Sequence, residues 1–158
     1  MHDSDHGKNA SAALRPIRIE GAAADGLPLY IGHGELQVRS PDGRHHTRWV
    51  YDSEPPHGDS LNALWLDDVK LPGLYWGRGH AWSANDVLQS FCTAERFDAG
   101  RSTLCVIRAT DRHWLEIARQ ASIVTLRYPD IVFRGYGESQ ALHTITLTGR
   151  ETWRPIPP

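Results

Sequence analysis

One short segment concentrates negative charge that suits the binding of a basic partner. It runs from residue 52 to residue 68 and contains five carboxylates with no Lys or Arg among them: Asp52, Glu54, Asp59, Asp67 and Asp68. A continuous acidic patch would dock against a basic cleft, where complementary charge raises the association rate and fixes the register of the complex. A solvated acidic loop is the alternative. Because adjacent strand residues project to opposite faces, we expect one carboxylate of the Asp67-Asp68 pair to point outward.

The next stretch, residues 71–92, adds aromatic and Arg side chains to the same candidate surface. Its loop holds four candidate contact residues among glycines: Tyr75, Trp76, Arg78 and His80. Trp, Tyr and Arg are the residue types that dominate interface hot spots. Trp76 and Arg78 each lie between glycines or beside one, so we expect both to be exposed, whereas Trp82 is expected in the core. Together, the acidic segment and this loop form the predicted partner-binding surface.

Enzymatic chemistry has less support. The histidines are scattered and lack the H-x-x-x-H or H-E-x-x-H spacing of a helix-borne metal site. A His from one loop and Asp67 can form a hydrolase pair, but no G-x-S-x-G nucleophile motif is present. We therefore predict no catalytic residue, no metal ligand and no cofactor. A small His/Asp-dependent or metal-dependent hydrolase is the alternative.

Bulk properties argue against several other partners. The net charge of −2 is too small to neutralise phosphates, and the glycines at 73–79 lack the Lys-Ser/Thr and the helix start of a phosphate loop. No nucleic acid is therefore expected. No stretch approaches the ~18 apolar residues of a membrane span, and the first residues do not form a secretory signal. With only two cysteines, a cytoplasmic location is the default expectation.

The elements that must position these residues are predicted to be strands. From residue 16 onward, apolar and polar residues alternate with period two almost to the end, beginning with Ile17 and Ile19. We predict a disordered tail over residues 1–13 and one all-β domain over 14–158, an antiparallel meander of about 9–10 strands in stacked twisted sheets or a small sandwich, with little or no helix. Residues 35–51 form a hairpin, and 61–69 is a strand in preference to a short helix.

A second hairpin is predicted to be central. It joins 87–95 to 103–109 and has apolar residues on both faces, so both faces should be covered. One face carries Leu88, Cys92, Cys105 and Ile107, and the other carries Val87, Phe91, Leu104 and Val106. Centring its turn on residues 97–100 places Cys92 directly opposite Cys105. We expect two reduced core neighbours, since a disulfide is disfavoured in a reducing compartment and a metal needs more ligands.

Three hairpins share a pattern in which a polar turn containing Arg is followed by a Trp. They end at Trp49, Trp114 and Trp153. The stretches HAWSANDVLQSFC and STLCVIRATDRHWLEI resemble a blade of a β-propeller, and the likeness covers about residues 79–156. A closed propeller of four blades would need essentially the whole chain, so we expect blade-like local structure within a smaller stack.

The motif L-P-x-x-Y-W-x-R-x-x-x-W-S-x-x-x-x-L, starting at Leu71, resembles small all-β immunity proteins of bacterial polymorphic-toxin systems, which act in contact-dependent or type VI secretion. That resemblance implies a cytoplasmic, non-enzymatic inhibitor that binds a cognate toxin domain one to one and covers its active site. A structural β module that oligomerises through an exposed edge strand is a further alternative.

Overall fold

The computed structural model describes residues 17–32, 34–56, 58–94, 101–135 and 141–157, without the side chains of 122–124. These residues form fifteen β-strands and no α-helix, which confirms the all-β prediction. The predicted number of about 9–10 strands is too low, because several short two- and three-residue strands had no signal of their own. The predicted N-terminal tail and the turn at 97–100 lie outside the described residues. In the described parts of the chain, no helix has the length and apolarity needed to cross a membrane.

The strands have the following bounds in chain order: β1 (Arg18–Gly21), β2 (Leu29–Tyr30), β3 (Glu35–Arg39), β4 (His46–Ser53), β5 (Leu61–Leu66), β6 (Val69–Lys70), β7 (Leu74–Trp76), β8 (Arg78–Trp82), β9 (Val87–Thr93), β10 (Thr103–Arg108), β11 (His113–Arg119), β12 (Ala121–Arg127), β13 (Asp130–Gly135), β14 (Leu142–Thr146) and β15 (Arg154–Pro155). The hairpin over 35–51 is confirmed as β3–β4. The strand predicted over 61–69 is confirmed only for residues 61–66, which form β5, because residues 67–68 turn the chain into β6.

Twelve strands form one sheet and three form another. The large sheet has the order β1-β3-β4-β5-β7-β9-β10-β11-β15, with β6 on β5 and with β8 joining β2 to β9. The small sheet has the order β12-β13-β14. Its first hairpin turns at Tyr128-Pro129, as expected, and the peptide bond there is cis.

Strand β1 departs from the predicted antiparallel arrangement. It pairs with β3 in parallel, whereas every other described pairing is antiparallel. The chain between them passes through β2, which pairs with β8, and therefore re-enters the sheet in the same direction. Ile17 and Ile19 are 44% and 54% exposed, because β1 is the outermost strand of its sheet.

Two apolar clusters lie on opposite faces of the central hairpin β9–β10. Leu88 and Ile107 belong to the first cluster, which also contains Trp49, Tyr75 and Trp82. The second cluster joins β9 and β10 to the small sheet and contains Phe91, Leu104, Val106, Leu126, Ile131 and Phe133. The prediction of a central hairpin covered on both faces is confirmed.

The predicted register of that hairpin is wrong by two residues. Cys92 pairs with Thr103, and Cys105 pairs with Ser90, so the two cysteines are diagonal neighbours. Both are free thiols. A shift of two residues keeps every side chain on its predicted face, because the side-chain period of a strand is also two.

The repeated hairpin pattern holds in two of its three copies. β3–β4 and β10–β11 are hairpins, and the second completes the meander β8-β9-β10-β11. The third copy is wrong, since β14 pairs with β13 in the small sheet and β15 pairs with β11 in the large one. The chain leaves the blade-like region after β11, so no single blade extends over residues 79–156.

Candidate functional site

The acidic segment does not form one continuous patch. It spans the hairpin β4–β5, in which Ser53 pairs with Leu61 at one end and Thr47 pairs with Leu66 at the other. Strand residues rise by about 3.3 Å each, so the two ends lie roughly 20 Å apart. Asp52, Glu54 and Asp59 are at the first end, and the Asp67-Asp68 pair is at the second.

The Asp67-Asp68 pair lies in a turn, and the expected strand position is wrong. Leu66 pairs with Val69, so these two residues alone connect β5 to β6. Their φ angles are 49° and 66°, values that Asp tolerates better than most residues and that two-residue hairpin turns require. Asp68 is exposed, and Asp67 is half-buried.

Three of the four residues predicted in the aromatic loop are buried. Tyr75 is 1% exposed, Trp76 8% and His80 0%, so the expected exposure of Trp76 is wrong. Strand β7 pairs with β5 on one edge and with β9 on the other. Tyr75 therefore faces the first cluster and Trp76 the second, and neither reaches the surface. Trp82 is buried as expected.

Their polar atoms are used inside the protein. The indole Nε1 of Trp76 donates to Ser102 Oγ at 2.9 Å, and the Tyr75 hydroxyl donates to the carbonyl of Pro72 at 2.9 Å. His80 lies against the rings of Trp49 and Trp82. These three predicted contact residues serve the core.

Gly77 brings the remaining predicted residue, Arg78, to the surface. Its N–H donates to the carbonyl of Ser60, and its own carbonyl accepts from the N–H of Ile31. A Cβ at Gly77 would lie 2.5 Å from Ser60 Oγ, so the three segments approach closely only because this residue has no side chain. Arg78 follows at once and is exposed.

The Arg78 guanidinium connects an acidic residue to an exposed aromatic ring. Its Nε donates to Asp59 Oδ1 at 2.7 Å, and its Cζ lies 5.3 Å from the centroid of the Tyr30 ring, within the range of a cation–π contact. Tyr30 is 58% exposed. Tyr30 has no signal in the sequence that marks it as a contact residue, because only the pairing of β2 with β8 brings it beside Arg78.

We call this group the Tyr30–Arg78 surface and define it by five residues: Tyr30, Asp52, Glu54, Asp59 and Arg78. Asp52, Glu54 and Arg78 are exposed, and Asp59 is half-buried. It therefore gathers four of the nine residues predicted for partner binding at one end of the large sheet and adds one new aromatic residue.

A second polar group, the His45–Asp67 cluster, lies at the opposite end of β4–β5. It consists of His45, His46, Asp67, Asp68 and Asp86. Nδ1 of His45 is 2.6 Å from Asp67 Oδ2, and the N–H of His46 donates to Asp67 Oδ1 at 3.0 Å. Nε2 of His46 is 3.2 Å from Asp68 Oδ1. The histidine that could pair with Asp67 in a hydrolase was not identified from the sequence, and the structure shows that His45 is the histidine in contact with Asp67.

Asp86 gives this cluster a second carboxyl group. Its Oδ2 lies 3.9 Å from Nε2 of His45. Burial raises the pKa of Asp86, and a hydrogen bond with the Asp42 carboxyl raises it further. The pKa of Asp42 is lowered, first by the backbone N–H of Arg44. As the pH falls, Asp86 therefore takes up a proton before Asp42 does.

The cluster can orient an imidazole, but the residues that the structure describes place neither a nucleophile nor a metal site beside it. In the described part of the chain, no hydroxyl or thiol hydrogen-bonds to the His45 ring. Among the residues that the structure describes, no group of three or more His, Cys, Asp or Glu side chains could hold a metal ion. Comparison of the chain with protein-family models, curated proteins and solved structures finds no match.

Proposed function

We propose that the protein is a non-enzymatic binding protein whose Tyr30–Arg78 surface docks against a basic cleft of a partner protein. One observation carries the proposal: Arg78 is held by Asp59 while it covers an exposed Tyr30. Tyr and Arg are the residue types enriched in interface hot spots. A rigid sheet supports both, since Tyr30 and Arg78 are paired in the ladder between β2 and β8.

The Arg78 side chain is already restrained in the unbound protein, and this preorganisation favours binding. Immobilising a flexible side chain at an interface costs about 0.5–1.5 kcal/mol of binding free energy. The Asp59 ion pair and the Tyr30 ring already restrain Arg78, so less of that cost remains to be met on association. The pair itself is exposed and contributes little to folding stability.

The charge of the surface favours a basic partner. Residues 52–60 contain three carboxylates and no Lys or Arg. A negative rim of this kind accelerates association with a positively charged cleft, and the effect weakens as salt is added.

The specific function that we propose is that of an immunity-type inhibitor. Such a protein binds a bacterial toxin domain one to one in the cytoplasm and covers its active site. Two features support this. The segment from Leu71 to Leu88 resembles such proteins, and Arg78 of the same segment belongs to the acidic, aromatic Tyr30–Arg78 surface. Toxins that act on nucleic acid have basic clefts, which the carboxylates of residues 52–60 would complement.

Co-expression with a toxin tests whether the protein is an immunity-type inhibitor. The chain is expressed in an indicator bacterium together with the toxin-like product of the gene adjacent to its own. We expect growth to be protected and light scattering to show a 1:1 complex. Failure to protect, or the absence of any toxin-like neighbour, would overturn the toxin proposal.

Matched charge removals test the surface. Asp52→Asn should slow association with the toxin by roughly threefold. Asp68→Asn, at the other end of the hairpin, should leave the association rate unchanged. An equal loss in both variants would show that the partner does not recognise the Tyr30–Arg78 surface specifically.

The His45–Asp67 pair favours a second candidate, a His/Asp-dependent hydrolase. Its imidazole and carboxylate are joined at 2.6 Å, the arrangement by which a carboxylate orients a general base. A screen of chromogenic carboxylic and phosphate esters tests this candidate. Turnover that His45→Ala abolishes and Arg78→Ala preserves would support hydrolysis and count against a purely binding role.

A further inference from the structure

A cavity of about 200 Å³ lies beside the diagonal thiol pair. Its walls come from the segment before β7 and from strands β9, β10 and β11, and they combine two thiols with two opposite charges and an indole. The residues that matter are Cys92, Cys105, Arg101, Trp114 and Glu116.

The two thiols differ in exposure. Cys92 is half-buried on the wall of the cavity, whereas Cys105 is fully buried. Their sulfurs are 3.7 Å apart, close enough for one S–H to donate to the other sulfur. Cys105 can also donate to the carbonyl of Ser90 at 3.5 Å. An incoming molecule can therefore reach Cys92 first.

Contact between the two sulfurs shifts the pKa values of the two thiols in opposite directions. The hydrogen bond from Cys105 lowers the pKa of Cys92 against the opposing effects of burial and of the Glu116 charge. The same hydrogen bond, together with burial, raises the pKa of Cys105 well above its usual value. The thiolate is the nucleophilic form of cysteine, so Cys92 is the attacking sulfur of the pair.

The register disfavours an internal disulfide. Diagonal neighbours in an antiparallel ladder have Cα atoms about 7–8 Å apart, whereas a disulfide usually spans about 4.4–6.8 Å. Closing the bond would distort the ladder of β9 and β10, which both apolar clusters hold in place. Cys92 therefore meets a foreign sulfur more readily than it bonds to Cys105.

We propose that Cys92 forms a mixed disulfide with a small zwitterionic thiol, and that the cavity holds the attached group. Arg101 lines the cavity and can attract a carboxylate. Glu116 lines it too and can attract an ammonium group, while its Oε1 lies 3.2 Å from Nη2 of Arg154. Trp114 supplies an apolar wall for the carbon chain between them. Cys105 acts as a positioning residue that donates its S–H to the Cys92 sulfur.

The reaction is a thiol–disulfide exchange with a small symmetrical disulfide as the oxidant. The Cys92 thiolate attacks one sulfur of that disulfide, and a new S–S bond forms as the old one breaks. The other half leaves as a thiolate and takes a proton from water. The Cys92 sulfur is oxidised and the departing sulfur is reduced, so electrons balance without any further reagent.

The test uses the full chain, reduced and freed of reductant, with cystine as the probe. Intact mass and peptide mapping should show one half-cystine on Cys92, which a reductant then removes. Cys92→Ser should give no adduct. An internal disulfide in the wild-type chain, an adduct on Cys105, or no reaction would overturn the proposal.

A second probe tests the charged walls. Cystamine has the same sulfur spacing and ammonium groups but no carboxylates. Arg101 is exposed, so Arg101→Gln should slow the reaction with cystine only roughly threefold, as for an exposed ion pair. It should not slow the reaction with cystamine. If both probes respond alike to Arg101→Gln, the cavity does not recognise the zwitterion.

The role of Cys105 has its own readout. Cys105→Ala removes the S–H donor and should move the pH profile of the exchange rate to higher pH. Cys105→Ser restores a donor and should move the profile back toward that of the wild type. Identical profiles in all three proteins would show that Cys105 only fills space.

Discussion

His80 is a histidine held in its neutral form by the core of the large sheet. Its ring packs edge-on against Trp49 at 4.8 Å and Trp82 at 6.0 Å between ring centroids. Its Nε2 is 3.2 Å from Thr47 Oγ1. Burial lowers the pKa of His80 to about 3, and the backbone of Gln89 opposes this only in part.

This lowered pKa makes folding stability depend on pH. Since the folded pKa of about 3 is below the usual 6.5, the unfolded chain binds the proton first as the pH falls. The stability contribution is complete above pH 6.5 and decreases below it. His80→Gln should remove a slope of about 1.4 kcal/mol per pH unit between roughly pH 6 and pH 4, measured by urea unfolding across that range.

An exposed histidine provides the control. His143→Gln, at an exposed position of β14, removes an imidazole without opening a cavity in the core. Because other groups also titrate, the informative quantity is the difference between each variant and the wild type. A slope that His80→Gln does not change would mean that the ring is protonated inside the fold.

At the scale of elements, the loop between β1 and β2 touches the small sheet through Gly26. Its carbonyl accepts from the N–H of Leu126 at 2.9 Å, and its φ is +73°. A Cβ at this position would lie 1.8 Å from the carbonyl oxygen of Leu126. Only glycine permits this approach.

A pair of glycine variants separates steric conflict from backbone strain. Gly43 has a φ of +75° and open space around its would-be Cβ. Gly43→Ala should therefore cost about 1–2 kcal/mol of unfolding free energy, from the left-handed backbone alone. Gly26→Ala adds a backbone clash and should cost roughly 1–3 kcal/mol more. Equal costs in chemical denaturation would show that the loop can move away from Leu126.

The Asp67-Asp68 turn gives a second matched pair. At pH 8, Asp68→Gly should stabilise the protein by about 0.5–1 kcal/mol, because glycine relieves the positive φ and Asp68 makes only an exposed contact. Asp67→Gly relieves similar strain but leaves the His46 N–H without its acceptor and should destabilise by about 1–3 kcal/mol. Thermal unfolding of the two variants should shift in opposite directions.

The sequence predicted which face of a strand each side chain occupies better than it predicted which residues lie opposite each other on neighbouring strands. Period two correctly assigned Phe91 and Leu104 to one side of the central hairpin and Leu88 and Ile107 to the other. The same period does not detect a shift of two residues in strand register. The position of Cys105 relative to Cys92 was therefore predicted wrongly. The pairing of β15 with β11 was also missed, because it depends on contacts distant in sequence.

The candidate site shows the same limit. Charge density along the chain joined Asp59 to Asp67, but the β4–β5 hairpin separates them. Glycine neighbours suggested that Trp76 is exposed, but a strand paired on both edges and covered on both faces buries adjacent residues alike. Arg78 was predicted correctly as exposed, whereas its neighbour Tyr30 had no local signal.

For the whole molecule, the central hairpin makes the two apolar clusters parts of one cooperative unit. Strands β9 and β10 provide side chains to both clusters. Loss of packing in the small sheet should therefore weaken the large sheet too, and unfolding should remain a single transition.

Ile131→Ala tests this coupling. Ile131 is fully buried in the second cluster, so the variant should lose about 2–5 kcal/mol. Its unfolding should give coincident transitions by far-UV circular dichroism and Trp fluorescence. Val132→Ala, on the half-buried opposite face of β13, is the matched control and should lose less. Two separate transitions in Ile131→Ala would show that the small sheet unfolds alone.

The six-residue strand β5 also has an evolutionary consequence. It keeps the Tyr30–Arg78 surface and the His45–Asp67 cluster at opposite ends of one hairpin, without a shared side chain. Substitutions at either end are then free to accumulate without compensation at the other. Among homologues, residues 30, 59 and 78 should co-vary as one group and residues 45, 67 and 86 as another.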